Sequence, residues 1–193
     1  FSCQDKNLPP VSEKPITKEI QPKDLKSFEA NPKAQYKAKF ADGKDFDSYD
    51  YKGRKLVFSF FSYTHRDAKD MLKSLMKLKE YEQNYNFRIF AVSINSGKNA
   101  EVQKFLQDNH IDLPLIFDDA NLSLAAQLNI VSEVTFVGVN QNHEPSFGVK
   151  QYVFNKNPDD EKTLLAYIKQ GLSIQEYHST QPRYGMYPKA PDF

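Results

Sequence analysis

Hydrophobic positions along the chain fall into blocks of period two alternating with blocks of period 3.6. Tyr36, Ala38 and Phe40 alternate with lysines up to Asp42-Gly43, a hairpin-turn signal, and a short strand over 45–47 follows. After the turn Lys52-Gly53-Arg54, residues 56–61 form a nearly continuous apolar run, the pattern of a central strand covered on both faces. Over 65–85 the period lengthens. Ala68, Met71, Leu72, Leu75, Leu78 and Tyr85 share one helical stripe, with lysines and glutamates opposite. Strand chemistry returns over 87–94, a second amphipathic helix is predicted over 99–109, and a short strand over 113–117. A short helix over 121–128 opens with Asn121, a residue type suited to an N-cap. A strand over 134–139 and a hairpin partner over 147–153 follow. Asn157-Pro158 starts the last helix with proline in its first turn, and Gly171 ends it.

This order of hairpin, then strands and helices in alternation, then a late hairpin predicts an α/β domain over 35–172. Its central mixed sheet is mainly parallel, carries an antiparallel edge, and has helices on both faces. The flanks read differently. Residues 1–34 space Pro9, Pro10, Pro15, Pro22 and Pro32 among charges, which suits an extended arm. Residues 173–193 interleave Pro182, Pro188 and Pro191 with Tyr177, Tyr184, Tyr187 and Phe193. Disordered tails are poor in aromatics; these rings are candidate anchors for protein partners.

Composition narrows the chemistry. With 26 Lys+Arg against 25 Asp+Glu, spread along the chain, the net charge of +1 lacks the positive excess of a nucleic-acid binder. No apolar run approaches the roughly 20 residues of a membrane-spanning helix. One cysteine, Cys3, excludes an internal disulfide, a CxxC pair and a Cys-rich zinc site. The four histidines never fall at i,i+4 on a helix, so no metal site is predicted, and no cofactor motif is found. Phe1-Ser2-Cys3 carries neither the charged nor the apolar region of a signal peptide.

Phe40-Ala41-Asp42-Gly43-Lys44, then Tyr51-Lys52-Gly53-Arg54-Lys55, then 56–61 resembles the opening of the thioredoxin-like superfamily. The branch it looks like is that of the peroxiredoxins and membrane-anchored thiol-disulfide oxidoreductases, and the resemblance covers most of 36–170. It implies a three-layer thioredoxin-like sandwich. In that family a CxxC opens the first long helix, where the helix dipole favours a thiolate. Setting Phe60-Phe61 on the family's aromatic pair places His65 and Ala68 at the two cysteine positions. The family's cis-proline falls on Glu133 or Val134, and without proline a cis bond costs about 3 kcal/mol, so a trans loop is expected. The resemblance thus implies a redox site lost at two places, and no enzymatic activity is expected. Residues 56–75 together with Leu128-Asn129-Ile130 are also similar to a family of mitochondrial ATP synthase assembly factors that lacks CxxC.

Other side chains have bland readings beside the chemical ones. His65 is a candidate general base or metal ligand, but a polar helix start with Thr64 or Asp67 capping suits the same residues better. Asp118-Asp119, a candidate carboxylate pair, reads more simply as a turn and helix cap. His143-Glu144 reads as an exposed hairpin loop, and His110 as a helix-end residue. Gly97-Lys98 lacks the rest of a phosphate loop. Ser2-Cys3 followed by Gln4-Asp5-Lys6 resembles a bacterial lipoprotein acylation site.

The expectation drawn from the arms and the missing thiols is a non-catalytic accessory subunit of a larger assembly. Its partners would be other protein subunits, and its setting a mitochondrial respiratory-chain or ATP synthase complex. The alternative is a bacterial envelope lipoprotein of the thiol-disulfide oxidoreductase type, anchored at Cys3 and acting as a redox-inactive binding module.

Overall fold

A computed structural model describes residues 32–148 and 158–174 of the 193-residue chain. Seven strands form one mixed sheet: β1 (Lys37–Phe40), β2 (Asp45–Asp47), β3 (Lys55–Phe61), β4 (Phe87–Ser93), β5 (Leu115–Phe117), β6 (Val134–Val139) and β7 (Pro145–Gly148). Their order in space is β2-β1-β5-β4-β3-β6-β7. β3, β4 and β5 are parallel, while β1, β2, β6 and β7 each pair antiparallel to their neighbours. The helices are α1 (Ala68–Met76), α2 (Asn99–Asp108), α3 (Ser123–Gln127) and α4 (Pro158–Gly171).

The apolar run of β3 is explained by its place at the centre. Val57 and Phe61 face a core shared with α1, α2 and α4, while Leu56, Phe58 and Phe60 face a second core that includes α3. Helices therefore cover both faces, as the sequence pattern predicts. In the second core Phe46, Phe58 and Phe90 meet edge-on or stacked at 5.1–5.9 Å, with the Tyr51 ring against Phe46 and Phe90. Burying each such ring stabilises the fold by roughly 1.5–3 kcal/mol.

The far edge of the sheet is wedged by one ring. Phe147 of β7 lies between Gly138 of β6 and Gly171 at the end of α4, in the space that a Cβ on either glycine would occupy. Tyr167 of α4 fixes β7 beside it: its hydroxyl donates to the Gly148 carbonyl at 2.8 Å and accepts the Gly148 N–H at 3.0 Å.

Four sequence expectations are corrected. The sheet is not mainly parallel: β3–β4 and β4–β5 pair in parallel, and the other four pairings are antiparallel. The helix expected over 65–85 is α1 alone, followed by a 3-10 turn at Lys79–Tyr81. The Lys77 and Leu78 amides bond three residues back to Ser74 and Leu75, which tightens the backbone while keeping Leu78 buried. α3 is not capped by Asn121. Its N-cap is Leu122, at φ 53°, and buried Asp118 accepts the Leu124 and Ala125 N–H groups at 3.0 and 2.9 Å. The strand expected over 147–153 begins at Pro145, and its second half lies outside the described residues.

Candidate functional site

β3, β4 and β6 bring their ends together at one pole of the sheet, where the resemblance places the family's cysteine pair. Phe61 stands opposite Val134, and the ladder runs one step further, with the Ser62 N–H donating to the Glu133 carbonyl at 2.8 Å. The loop after β3 and the loop before β6 are thereby held side by side. The peptide bonds of the described residues, the one between Glu133 and Val134 included, are trans.

The segment from Ser62 to Ala68 turns tightly into α1. His65 N–H donates to Ser62 O at 3.0 Å, and Ala68 N–H to His65 O at 3.1 Å, so His65 and Ala68 lie one turn apart. Ala68 is the first residue of α1 and is fully buried. His65 is half-buried, and its Nδ1 accepts the Asp67 N–H at 3.2 Å, which leaves the ring proton of the neutral form on Nε2. Asp67 is buried, with Arg66 Nε 3.5 Å from its carboxylate. Its side chain makes no capping bond, which corrects the capping role weighed for it.

Asn95, just past β4, ties this segment down and was missed in the sequence. Its Oδ1 accepts the Tyr63 N–H at 3.0 Å, and its Nδ2 donates to Ser62 Oγ at 3.0 Å. Ser62 Oγ also lies 3.0 Å from Thr64 Oγ1. A polar residue within two positions of the end of each of two adjacent parallel strands was the available signal, because those carboxyl ends are where open α/β sheets place their sites. Chemically, the cluster's 3.0 Å side-chain contacts run among its own members. The partners of Ser62 Oγ are an amide and a hydroxyl, and neither is a base that takes its proton. Around it the surface is open: Val131 is 86% exposed, and Glu133 is exposed.

The remaining candidates scatter. Asp118 and Asp119 are caps: Asp119 Oδ1 accepts from the Asn121 and Ser123 amides at 2.9 and 3.0 Å. The Ser123 side chain first, and then these amides, draw the Asp119 pKa below the usual carboxylate value. His110 follows α2 in the left-handed region, and Gly97-Lys98 leads into α2. His143 is not an exposed loop residue. It is fully buried, because Tyr36, just before β1, and the turn after β2 close over it. Cys3 and the tail residues Tyr177, Tyr184, Tyr187 and Phe193 lie outside the described residues, as do most of the two arms. Among the described residues no cluster of three or more His, Cys, Asp or Glu could hold a metal ion, and no helix is long and apolar enough to cross a membrane.

The fold is shared with solved bacterial proteins. A putative thiol:disulfide interchange protein DsbE from Chlorobium tepidum superposes with a TM-score of 0.60 at 14% identity, over 74% of this chain and 96% of that one. The pneumococcal exposed lipoprotein thioredoxin from Streptococcus pneumoniae gives 0.58 at 16%, over 72% and 98%. A secreted Mycobacterium tuberculosis disulfide oxidoreductase homologous to E. coli DsbE gives 0.55 at 16%, over 68% and 95%. At these identities the likeness is one of fold, and the fold is thioredoxin-like. No curated protein matches the sequence.

A family model, that of the AhpC/TSA family, matches residues 24–154. The expectation of a mitochondrial accessory subunit is overturned here. The chain matches the AhpC/TSA family and the similar solved structures named above are bacterial proteins, so the mitochondrial setting finds no support. With more than half of its length matched, the chain belongs to the AhpC/TSA family.

Proposed function

We propose that this chain is a redox-inactive binding module of a bacterial cell envelope, built on the thiol-disulfide oxidoreductase fold. One observation carries the reading: the helix start holds His65 and Ala68, and the chain's one cysteine, Cys3, lies far from it in sequence. Two-electron exchange within one chain needs a second thiol to resolve the mixed disulfide. The hydroxyl and amide cluster beside His65 supplies neither a thiolate nor an activated nucleophile. The envelope setting draws on the fold neighbours, among them a secreted oxidoreductase and an exposed lipoprotein. In this reading Cys3 is the lipid attachment point, and the exposed loop with Val131 and Glu133 is the face offered to a client.

Reduction of insulin by dithiothreitol tests the catalytic half. The expected rate with the protein equals the rate without it, and turnover clearly above that background rejects the reading. The intact mass of the native protein tests the anchor: a diacylglyceryl adduct on Cys3 is expected, and a free thiol there removes the lipoprotein assignment.

A further inference from the structure

The turn joining β6 to β7 holds a side chain that the site at the other pole does not use. His143 sits in the left-handed region at φ 60°, yet its ring has no exposed surface. Two segments close over it. Its backbone carbonyl accepts the hydroxyl of buried Tyr36, just before β1, at 2.8 Å. Its Nε2 lies 3.4 Å from the Tyr51 carbonyl in the 3-10 turn Ser48–Tyr51 after β2. A carbonyl only accepts, so the neutral ring carries its proton on Nε2. Nδ1 is then a bare acceptor, buried with no hydrogen-bond partner. On either side, the Lys33 N–H donates to the Asn142 carbonyl at 3.0 Å, and Lys33 Nζ pairs with Glu144 at 3.3 Å. The turn therefore fastens the segment through which residues 1–32 join the domain.

Every neighbouring group enters the proton balance of this ring. Asp47 of β2 and the backbone of Ala34 and Tyr51 favour its charged form, and Lys52 opposes it. Lys33 and Glu144 offset each other, and Tyr36 is neutral until strongly alkaline pH. Burial outweighs the favourable contacts and holds the imidazole below the ordinary histidine value. A proton added to Nδ1 leaves a buried cation, and relief comes from the weakest surroundings. Separate hydrogen bonds and one ion pair close residues 33–36 and 51 over the ring, whereas continuous ladders to β4 and β6 hold β3.

We propose that the β6–β7 turn is an acid-sensitive latch: protonation of His143 frees residues 33–36 and the turn 48–51 while the β3–β4–β6 centre stays folded. The sign follows from linkage. A histidine whose pKa is lowered by folding stabilises the closed form fully above its ordinary value, and that contribution is lost as the pH falls below it.

Hydrogen exchange of the full chain, read by mass spectrometry near pH 7.5 and about pH 5 with intrinsic rates corrected, tests this. Amides of 33–36 and 48–52 are expected to exchange faster in acid relative to those of 56–61. The gain is about tenfold for each pKa unit of depression. His143→Asn, whose side chain tolerates the left-handed turn, is expected to abolish the difference. Equal protection at both pH values, the same acid response in His143→Asn, or a parallel loss in 56–61 overturns the latch. Ring-carbon NMR of the four histidines in the unaltered protein is a second arm that needs no variant. His143 titrating at an ordinary value, or without concurrent shifts at the Tyr36 and Tyr51 amides, overturns it as well.

Discussion

A Cβ placed on Gly138 would stand 2.0 Å from Cε1 of Phe147 and 2.1 Å from its Cζ, so the ring fills the volume any other side chain there would need. Gly171 is constrained from the opposite side, where a Cβ would stand 2.4 Å from Cγ of the same ring. Gly138→Ala is expected to destabilise the domain by about 1–3 kcal/mol through overpacking. Gly171→Ala is the sharper test, since alanine in a helix ordinarily gains up to about 1 kcal/mol over glycine. Urea denaturation should show a net loss in both variants. Combining either with Phe147→Leu should recover part of it, because the substitutions meet at one ring; additive losses would break the account.

His65 and Ala68 are one turn apart, joined by the Ala68 N–H to His65 carbonyl bond. The double change His65→Cys, Ala68→Cys is therefore expected to form an intramolecular disulfide on mild oxidation. The accessible thiol at 65, at a helix start, should be the more acidic of the two. Alkylation followed by mass spectrometry reads the bond. A folded double variant in which both new thiols stay free, three in all with Cys3, would show that these positions do not correspond to the family's cysteine pair.

Asn95 holds the Ser62–Thr64 segment through two hydrogen bonds. Asn95→Ala removes both and leaves the Tyr63 N–H without its acceptor, at an expected cost of about 1–3 kcal/mol. Asn95→Asp keeps an acceptor for Tyr63 and for the Ser62 hydroxyl, so its loss should be smaller. Exchange of the Tyr63 amide in the two variants separates a local loosening from a general one.

Tyr36 gives a prediction at the alkaline end. Burial first, and then the charge of Glu144, push its phenol up to about 12 from 10.0. The folded state thus prefers the neutral form. Its contribution is complete below about pH 10 and is lost as the pH rises toward 12. Tyr36→Phe should cost about 1 kcal/mol at neutral pH, through the lost bond to the His143 carbonyl, and should flatten stability above pH 10 relative to the parent. An unchanged alkaline slope in urea titrations would contradict this.

Much of the fold is legible in the sequence because it rests on local pattern. The continuous apolar run of β3 marks a strand buried on both faces, and the stripe through Ala68, Met71, Leu72, Leu75 and Leu78 is buried as its spacing predicts. The same stripe hides where α1 ends, because a 3-10 turn keeps Leu78 on the core side while changing the backbone bonds. The sequence suggests an exposed His143 because turns usually are exposed. Its burial is created by Tyr36, 107 residues earlier, and no window along the chain contains both. Asn95 escaped for a similar reason, since its partners at Ser62 and Tyr63 lie across a helix, a 3-10 turn and a strand. The superfamily was visible in short motifs, whereas the setting of the protein was not, because arms rich in proline and aromatics suit many assemblies.

The strand order has a consequence for the protein as it is made. β3 has β4 on one side, but its other neighbour is β6, and β1 must wait for β5 before it joins the sheet. The central strand thus cannot be completed until residues 134–139 have left the ribosome or crossed a translocation pore. Up to that point Phe58, Phe60 and Phe61 stand along an open strand edge, where pairing with another chain competes with folding. Closure of this domain is a late, nearly all-or-none event in the emergence of the chain, and the interval before it is when a chaperone has most to protect.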